Sequence, residues 1–435
     1  MTSAPPTTVG ALVRHLGPGF IITATIVGSG ELIVTPKLGA SVGFSLLWFV
    51  IAGCVLKVFV QIQLARTAVA TGRTTLDELN ALPGPRWRVS WILWLWLAMY
   101  VSLVFQVSGI VGGIAGVFAE IGIGGGPRLW ALPVGVSCAL LLASGRYAVV
   151  ERGSTVMVTA FTVSALVSVA VLQGTAYRIS ASEIWSGLRL DLPASFTVAF
   201  AAFGVIGVGA SELIYYPYWC LEKGYARRIG PDDNTAAWSA RARGWMRVMR
   251  IDAGLSLVLY TSITVAFYLL GAAVLHRRGL DVTNADMIHV LSQMFRESFG
   301  EWTLVIFLAG AFFVLYSTYF GATAANARLA ADALELFGIT RYPDEAARGR
   351  SVRAFSIGIS LLCALVYLAW PQPVTLVLIG ATGQALMLPF LALAAVRFSR
   401  QIDKRLRGPW WETVGLWLSA AAMVALGAYQ LWSLF

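Results

Sequence analysis

Long apolar stretches alternate along the chain with short polar segments rich in Lys and Arg. Each stretch is roughly 20 residues long, the length that an α-helix needs to cross the hydrocarbon core of a bilayer. The pattern predicts eleven spanning helices, numbered in chain order, at about 17–38, 43–66, 91–119, 130–145, 154–172, 195–221, 248–274, 302–327, 353–370, 373–396 and 411–434. We therefore expect an all-α integral membrane protein with one transmembrane domain over residues 1–435.

Span 1 contains a polar interruption in the middle of its apolar run. Within GPGFIITATIVGSGELIVTPKLGA, residues 17–40, Gly28 and Gly30 stand together and Glu31 follows at once. Glycine weakens a helix, and a carboxylate in hydrocarbon is costly, so both features at one membrane depth need a functional reason.

A second copy of this interruption occurs in span 6. Residues 27–33 read VGSGELI and residues 208–214 read VGASELI, and a proline follows nine residues after each first valine, at Pro36 and Pro217. The two copies lie five spans apart, so their helices cross the membrane in opposite directions. A 5+5 inverted repeat with discontinuous first helices is typical of a secondary transporter. We expect repeat one over about 17–172, repeat two over about 195–396, and one further helix over about 411–434.

Composition and charge support a membrane protein and predict its orientation. Hydrophobic residues make up 58% of the chain and charged residues only 12%, whereas charged residues are about 25% of a typical soluble domain. With the N-terminus inside, the cytoplasmic side holds 24 of the 32 Lys and Arg residues and the other side holds 7. This distribution predicts a multi-pass plasma-membrane protein with a cytoplasmic N-terminus and an outer C-terminus. The net charge of +10 is then explained by basic loops that determine topology and contact anionic lipid head groups. No nucleic-acid partner is expected.

The N-terminal segment and the cysteines do not indicate targeting or metal chemistry. The N-terminal segment has no separate apolar stretch with a cleavage site, so no cleaved targeting peptide is expected. The four cysteines (Cys54, Cys138, Cys220 and Cys363) lie scattered in apolar segments without metal-ligand spacing. We expect them to pack as small apolar side chains.

The two interruptions supply the candidate binding chemistry. Glu31 and Glu212 each follow a break, at the start of the second half-helix, where a carboxylate could simply cap the helix. Two symmetry-related carboxylates at membrane depth also suit a binding site, together with the backbone carbonyls freed at 27–30 and 208–211. The sequence leaves capping and binding open.

Lys57, near the middle of span 2, adds a positive charge at membrane depth. Such a lysine should face the protein interior and pair with an acid. One hypothesis is that Lys57 neutralises Glu31 or Glu212, which leaves one carboxylate to change protonation during transport. The alternatives are a purely structural ion pair and a side chain that snorkels toward the inner leaflet.

Other polar and aromatic side chains are weaker candidates. Ser317 and Thr318 in span 8 could face span 1 and help hold a cation, or could serve ordinary helix packing. Tyr215 and Tyr216 follow Glu212 and could gate the cavity or belong to an interfacial aromatic belt.

The sequence of span 1 resembles that of the Nramp family of proton-coupled divalent metal transporters. Family members read approximately GPGF…DPGN…GA where this chain reads GPGF…GSGE…GA without a gap, and QALMLPFLAL at 384–393 looks like the family's tenth helix. More faintly, residues 317–338 look like its eighth helix. The resemblance implies a leucine-transporter-type fold with eleven spans, a bound cation between broken helices 1 and 6, and protons as the coupling ion.

The departures from the family pattern affect the ligands. The Asp and Asn of DPGN fall on Gly28 and Glu31, and the helix 6 motif MPHN falls, by the internal symmetry, on Gly209, Ala210, Ser211 and Glu212. The Asp, the Met and the His that the family uses are therefore absent. Gln384 matches a helix 10 glutamine that approaches the metal in some family members.

The candidate site then comprises Gly28, Glu31, Gly209, Glu212 and Gln384, with Glu31 and Glu212 as the charged metal ligands. Oxygen-only ligation suits Mg²⁺, Mn²⁺ or Ca²⁺ better than soft transition metals. We expect a proton-coupled transporter of a small cation, with no cofactor besides the transported ion. The alternative is an H⁺- or Na⁺-coupled transporter of an organic solute such as an amine. A membrane-embedded enzyme is disfavoured because the sequence has no nucleophile motif and no cofactor fingerprint.

Overall fold

The computed structural model describes residues 3–144, 147–191, 197–300 and 302–432. It contains eighteen α-helices in those ranges: α1 Val9–His15, α2 Pro18–Ile26, α3 Thr35–Val42, α4 Leu47–Thr71, α5 Thr75–Asn80, α6 Trp91–Glu120, α7 Pro127–Ser144, α8 Tyr147–Val171, α9 Ala181–Gly187, α10 Thr197–Val205, α11 Ala210–Glu222, α12 Tyr225–Ile229, α13 Ala236–Leu270, α14 Met287–Phe299, α15 Thr303–Leu336, α16 Glu345–Ala369, α17 Pro373–Gln401 and α18 Trp410–Trp432. Short π-helical segments cover Ser29–Val34 and Gly271–His276, and 3₁₀ turns cover Leu172–Gly174 and Lys404–Leu406. The antiparallel strands β1 (Arg86–Trp87) and β2 (Val89–Ser90) form a small hairpin.

The predicted all-α membrane architecture is confirmed. Within the described ranges, ten helical stretches are long and apolar enough to cross a membrane. The 25-residue helix α8 occupies the place of predicted span 5, so eleven crossings are compatible with the structure. Residues 145, 195–196 and 433–434 of the predicted spans lie outside the described residues.

Several segments that the hydrophobic pattern left as loops are helical. Helix α13 begins at Ala236 rather than near residue 248, and helices α9, α12 and α14 occupy predicted loops. His289 therefore lies on α14 and not in a loop. From α14 it contacts Glu120. Short amphipathic helices of this kind are missed because their apolar residues are too few to register as a span.

Both predicted interruptions are present as real breaks in helices. Helix α2 ends at Ile26, and the chain resumes through the π-helical turn Ser29–Val34 before α3. Helix α10 ends at Val205, and α11 begins only at Ala210. Gly207 within the second gap has a φ of +60°, a conformation that glycine adopts without strain.

The breaks lie inside the helical bundle, surrounded by packed apolar side chains. Helices α17 and α6 pack closely along their lengths, α10 packs on α17, and α4 packs on α13. All four cysteines are buried and unpaired, as expected for small apolar side chains. The freed backbone groups of both breaks must therefore find partners within the protein.

Candidate functional site

Glycines in the first break let it contact the second break and α15. A Cβ on Gly30 would lie 2.9 Å from the Val205 carbonyl oxygen, at the end of α10. A Cβ on Gly28 would lie 2.1 Å from Thr318 Oγ1 on α15. Glycine at both positions allows the first break to approach the second break and α15 more closely than any side chain would permit.

Three oxygen atoms converge on Gly209, at the start of α11. A Cβ placed there would lie 2.5 Å from Gln384 Oε1, 2.5 Å from Glu212 Oε2 and 3.0 Å from the carbonyl oxygen of Gly204. The space left by the missing side chain is thus bordered by a carboxylate, an amide and a backbone carbonyl. We call this group the Gly209 oxygen cluster.

Ser211 donates to the side-chain oxygens of the Gly209 oxygen cluster. The Ser211 backbone N–H donates to Gln384 Oε1 at 2.9 Å, and Ser211 Oγ lies 2.8 Å from both Gln384 Oε1 and Glu212 Oε2. A hydroxyl has only one hydrogen to donate, so it cannot serve both oxygens. The Ser211 hydroxyl therefore serves either the amide oxygen or the carboxylate oxygen at any one time.

Gln384 is oriented by a neighbour that the sequence did not suggest. Its Nε2 donates to Gln106 Oε1 on α6 at 2.8 Å, which turns Gln384 Oε1 toward the break. Gln106 is buried and is the one amide side chain of predicted span 3, and that amide is the signal that could have identified it.

Glu31 makes its contacts on the other side of the second break. Its side chain is fully buried, and Oε1 accepts a hydrogen bond from the Gly207 N–H at 3.2 Å. Oε1 also lies 2.8 Å from Thr264 Oγ1 on α13, whose single hydrogen is shared with the Tyr260 carbonyl oxygen at 2.7 Å. Its Oε2 is buried without a hydrogen-bond partner. Glu31 therefore provides no cap to its own helix but accepts a hydrogen bond from the second break, and it shares no hydrogen-bonding partner with Glu212 among the described residues.

Lys57 is buried as predicted, but its predicted acidic partner is absent. Its ammonium donates to the carbonyl oxygens of Phe203 and Ile206, the latter at 2.6 Å, and it lies 4.6 Å from the centre of the Phe203 ring. No acidic group of the described chain forms an ion pair with it. Snorkelling is also wrong, because the side chain is fully buried. The freed carbonyls of a broken helix attract an ammonium as an acid would.

The two tyrosines after Glu212 point into the bundle. Tyr215 OH donates to Asn326 Oδ1 on α15 at 2.6 Å, and Tyr216 OH donates to Asp252 Oδ2 on α13 at 2.9 Å. Both rings are buried, so an interfacial aromatic belt does not describe them. A gating role for either tyrosine stays a prediction.

Asp252 fixes the start of the first broken helix. Its two carboxylate oxygens accept the backbone N–H of Gly17 at 2.9 Å and of Gly19 at 2.6 Å. A carboxylate at a helix N-terminus satisfies the free N–H groups and the positive end of the dipole. Asp252 was not identified from the sequence, although an acidic residue near the start of predicted span 7 is the signal that could have identified it.

A cavity of about 500 Å³ lies between α2, the end of α11 and the middle of α15. Ser317 and the α2 residues Ala24 and Thr25 line it, and Glu222 and Lys223 lie at its edge. Thr318 does face span 1, since its Oγ1 lies 3.3 Å from the Ala24 carbonyl oxygen. Ser317 instead bonds to the Val314 carbonyl of its own helix.

The side chains alone do not form a conventional metal site. Within the described ranges, no group of three His, Cys, Asp or Glu residues is placed to bind one metal ion. Any metal held at the breaks must take part of its coordination from carbonyls, amides or water. The Gly209 oxygen cluster offers such hard oxygen ligands, which suit Mg²⁺, Ca²⁺ and Mn²⁺.

Two broken helices that meet around a polar site inside an apolar bundle define a membrane transport protein. The family model described as natural resistance-associated macrophage protein-like, Nramp, matches residues 19–433. The chain therefore belongs to the Nramp family, as the resemblance of span 1 predicted.

Individual relatives are distant. The divalent metal cation transporter MntH of Bacillus subtilis is 23% identical over 432 residues, which cover 96% of this chain and 92% of that protein. The MntH of Deinococcus radiodurans is 26% identical over 309 residues, covering 70% of this chain and 66% of that protein. The match to the metal transporter Nramp6.2 of Populus trichocarpa is 29% identical but spans only 35% of this chain and 27% of the plant protein.

Solved structures confirm the fold. A mutant of the Eremococcus coleocola manganese transporter gives a TM-score of 0.68 at 15% identity, covering 99% of this chain and 89% of that chain. MhsT in complex with L-phenylalanine gives a TM-score of 0.56 at 13% identity, covering 98% of this chain and 99% of that chain. The shared scaffold thus occurs in proteins whose names state different ligands, so the cargo has to be argued from the site.

Proposed function

We propose that the protein is a secondary active transporter that moves a divalent metal cation by alternating access, with protons as the coupling ion. Membership of the Nramp family supports metal as the cargo. The relatives of B. subtilis and D. radiodurans carry the name divalent metal cation transporter. The plasma membrane is the proposed location.

The observation that carries the proposal is the Gly209 oxygen cluster. It brings one carboxylate, Glu212, together with the amide oxygen of Gln384 and the carbonyl oxygen of Gly204 around the space at Gly209. All three are hard ligands, and no thioether or imidazole stands at 209–212. The proposed cargo is therefore a hard cation, Mg²⁺, Mn²⁺ or Ca²⁺, in preference to soft transition metals.

Glu31 contributes to the same region from the first broken helix. One of its oxygens is held by Gly207 and Thr264, and the other has no partner. A carboxylate with one free buried oxygen can take up a cation that enters between the breaks. We place the cation between Glu31, Gly28, Gly209, Glu212 and Gln384, with Glu212 as its principal charged ligand.

An organic amine is the second candidate cargo, and one observation favours it. The described part of the chain lacks any cluster of three metal-ligating acidic, His or Cys side chains. A monovalent ammonium needs only one carboxylate and a few neutral acceptors, which the Gly209 oxygen cluster supplies.

Ion flux into proteoliposomes tests the proposal. We expect Mn²⁺ and Mg²⁺ uptake that is driven by an inward proton gradient, and a loss of at least about tenfold in Glu212→Gln because ligand charge sets divalent affinity. The matched control is Glu120→Gln, since Glu120 pairs with His289 at the end of α6, outside the site. Uptake of an alkylamine without uptake of Mg²⁺, Ca²⁺ or Mn²⁺ would replace the metal with the amine.

A further inference from the structure

Lys57 occupies a position that has the chemistry of a monovalent cation site. Two backbone carbonyl oxygens, those of Phe203 and Ile206, accept hydrogen bonds from its ammonium. The face of the Phe203 ring lies 4.6 Å away. Carbonyl oxygens and an aromatic face are the groups that bind small ammonium and alkali cations.

The carbonyl oxygens that Lys57 contacts are free to accept its hydrogen bonds because the helix is broken. Helix α10 ends at Val205, so the next helical turn that would normally donate to the Phe203 carbonyl is missing. The Gly207 N–H, which would be that donor, points instead to Glu31 Oε1. The carbonyl end of a half-helix also carries partial negative charge, so it favours a cation.

A positive and a negative side chain bind the backbone carbonyl and N–H groups that are freed at this break. Lys57 on α4 takes the carbonyls, and Glu31 takes the N–H of Gly207. Both side chains are fully buried. A neutral hydroxyl or amide could satisfy the same backbone groups without burying charge, so packing alone does not account for a lysine here.

We propose that Lys57 is a tethered cation, which permanently fills a monovalent cation site at the break between α10 and α11. The site is separate from the Gly209 oxygen cluster and does not depend on the identity of the cargo. Lys57 acts as a positioning residue, because it fixes the end of α10 and with it the Gly204 carbonyl of the cluster. A dissolved monovalent metal ion such as Na⁺ is then unnecessary at this break.

Chemical rescue of purified full-length Lys57→Ala tests the proposal. The substitution should lower the melting temperature and leave a space with the size of propylammonium, the part of the side chain that is removed. We expect propylammonium to raise the melting temperature of Lys57→Ala by at least about 2 °C, through preferential binding to the folded state. Propanol, which has the same size but no charge, should have no such effect.

Two matched proteins sharpen the experiment. Lys57→Met fills the space without a charge, so it should be destabilised and insensitive to propylammonium, and the wild type should be insensitive because its own ammonium occupies the site. An equal response to propylammonium and propanol, or an equal response of wild type and Lys57→Ala, would overturn the proposal. If Lys57→Ala does not fold, Lys57→Met still decides, because a melting temperature equal to that of the wild type shows that the charge is dispensable.

The readout also separates this inference from the proposed function. Melting temperature requires no cargo, so a failure of metal uptake would refute the metal proposal and leave the cation assignment standing. In the wild type, we further expect the melting temperature to be the same in Na⁺ and in choline at equal ionic strength. A stabilisation specific to Na⁺ that disappears in Lys57→Met would contradict the tethered cation, since it would place Na⁺ at the same break.

Discussion

Gly209 shows how a missing side chain leaves space among oxygen atoms. Its φ of −76° and ψ of 174° are open to any residue, so the position needs glycine for space and not for backbone conformation. The space is bordered by oxygens from α11, α17 and the end of α10. A single residue thus lies where three helical segments meet.

Gly209→Ala should therefore weaken cation binding while leaving the fold intact. The added methyl group would push against Glu212 and Gln384, and an overpacking cost of about 1–3 kcal/mol in the cation-bound state corresponds to a loss of roughly fivefold to 150-fold in affinity. Gly254→Ala is the matched control, because a Cβ on Gly254 of α13 meets nothing within 4 Å. Metal uptake of both variants in proteoliposomes measures the effect, and equal rates would show that the cluster is not used.

At the residue scale, the sequence revealed the charges but not their partners. Glu31, Glu212 and Lys57 could be found because an ionisable residue in an apolar span is conspicuous. The partner Thr264 could not, since a hydroxyl in a helix usually bonds to its own backbone. The sequence predicted an acidic partner for Lys57, whereas its observed partners are freed backbone carbonyls. The sequence did not predict these partners because the geometry of the break is not encoded locally.

Helix α2 is held at its cytoplasmic end, as the predicted topology places it, by elements outside the spans. Tyr225 OH on α12 donates to the His15 carbonyl at 2.7 Å, and Arg228 Nη1 lies 2.6 Å from His15 Nδ1. The His15 ring also packs edge-on against Trp245 of α13, at 5.1 Å between centroids. Movement of α2 therefore requires the release of the segment that precedes it.

The contact between His15 and Arg228 should make this attachment sensitive to pH. An arginine can only donate, so His15 must be neutral and accept at Nδ1. Partial burial, then Arg228 and then Lys223 lower the pKa of His15 below its ordinary 6.5. The stabilisation from this contact is thus fully present above about pH 6.5 and is lost as the pH falls through the lowered folded-state value.

Hydrogen exchange over residues 9–20 measures that attachment directly. Between pH 7.5 and pH 5, after correction for intrinsic exchange, we expect faster local opening by about fivefold, the effect of about 1 kcal/mol. His15→Gln keeps an acceptor that does not titrate, so its exchange should show no such pH step. A step of equal size in His15→Gln would assign the effect to other groups.

The helical elements show which patterns a sequence reveals. Long apolar runs and the repeated VGSGELI and VGASELI segments predicted the bundle and the position of both breaks. The π-helical turn at Ser29–Val34 and the helices α12 and α14 were not predicted, because they depend on packing against distant segments and not on a local period.

For the whole molecule, the number of crossings determines whether the two termini lie on the same side of the membrane or on opposite sides. Eleven crossings place the two termini on opposite sides, and the distribution of Lys and Arg predicts the N-terminus inside. Epitope tags at each end of the protein in intact cells should show an inaccessible N-terminus and an accessible C-terminus. Accessibility of both tags, or of neither, would mean an even number of crossings and would remove α8 as a span.

The fold and the family could be derived from the sequence, whereas the cargo depends on geometry that no motif specifies. The absence of the Asp, Met and His of DPGN and MPHN leaves a family scaffold with different ligands. Only the structure shows that Glu31 and Glu212 face different partners across the second break. The proposed site is therefore one cation centred on Gly209, and not two equivalent carboxylates.

Equilibrium binding of Mn²⁺ to the purified protein, followed by the loss of the free-ion electron paramagnetic resonance signal, tests whether one cation binds at Gly209. We expect one Mn²⁺ site in the wild type and in Glu120→Gln, and an affinity at least about tenfold lower in Glu212→Gln because a charged oxygen ligand is lost. Unchanged Mn²⁺ affinity in Glu212→Gln, or no Mn²⁺ binding by the wild type, would contradict it.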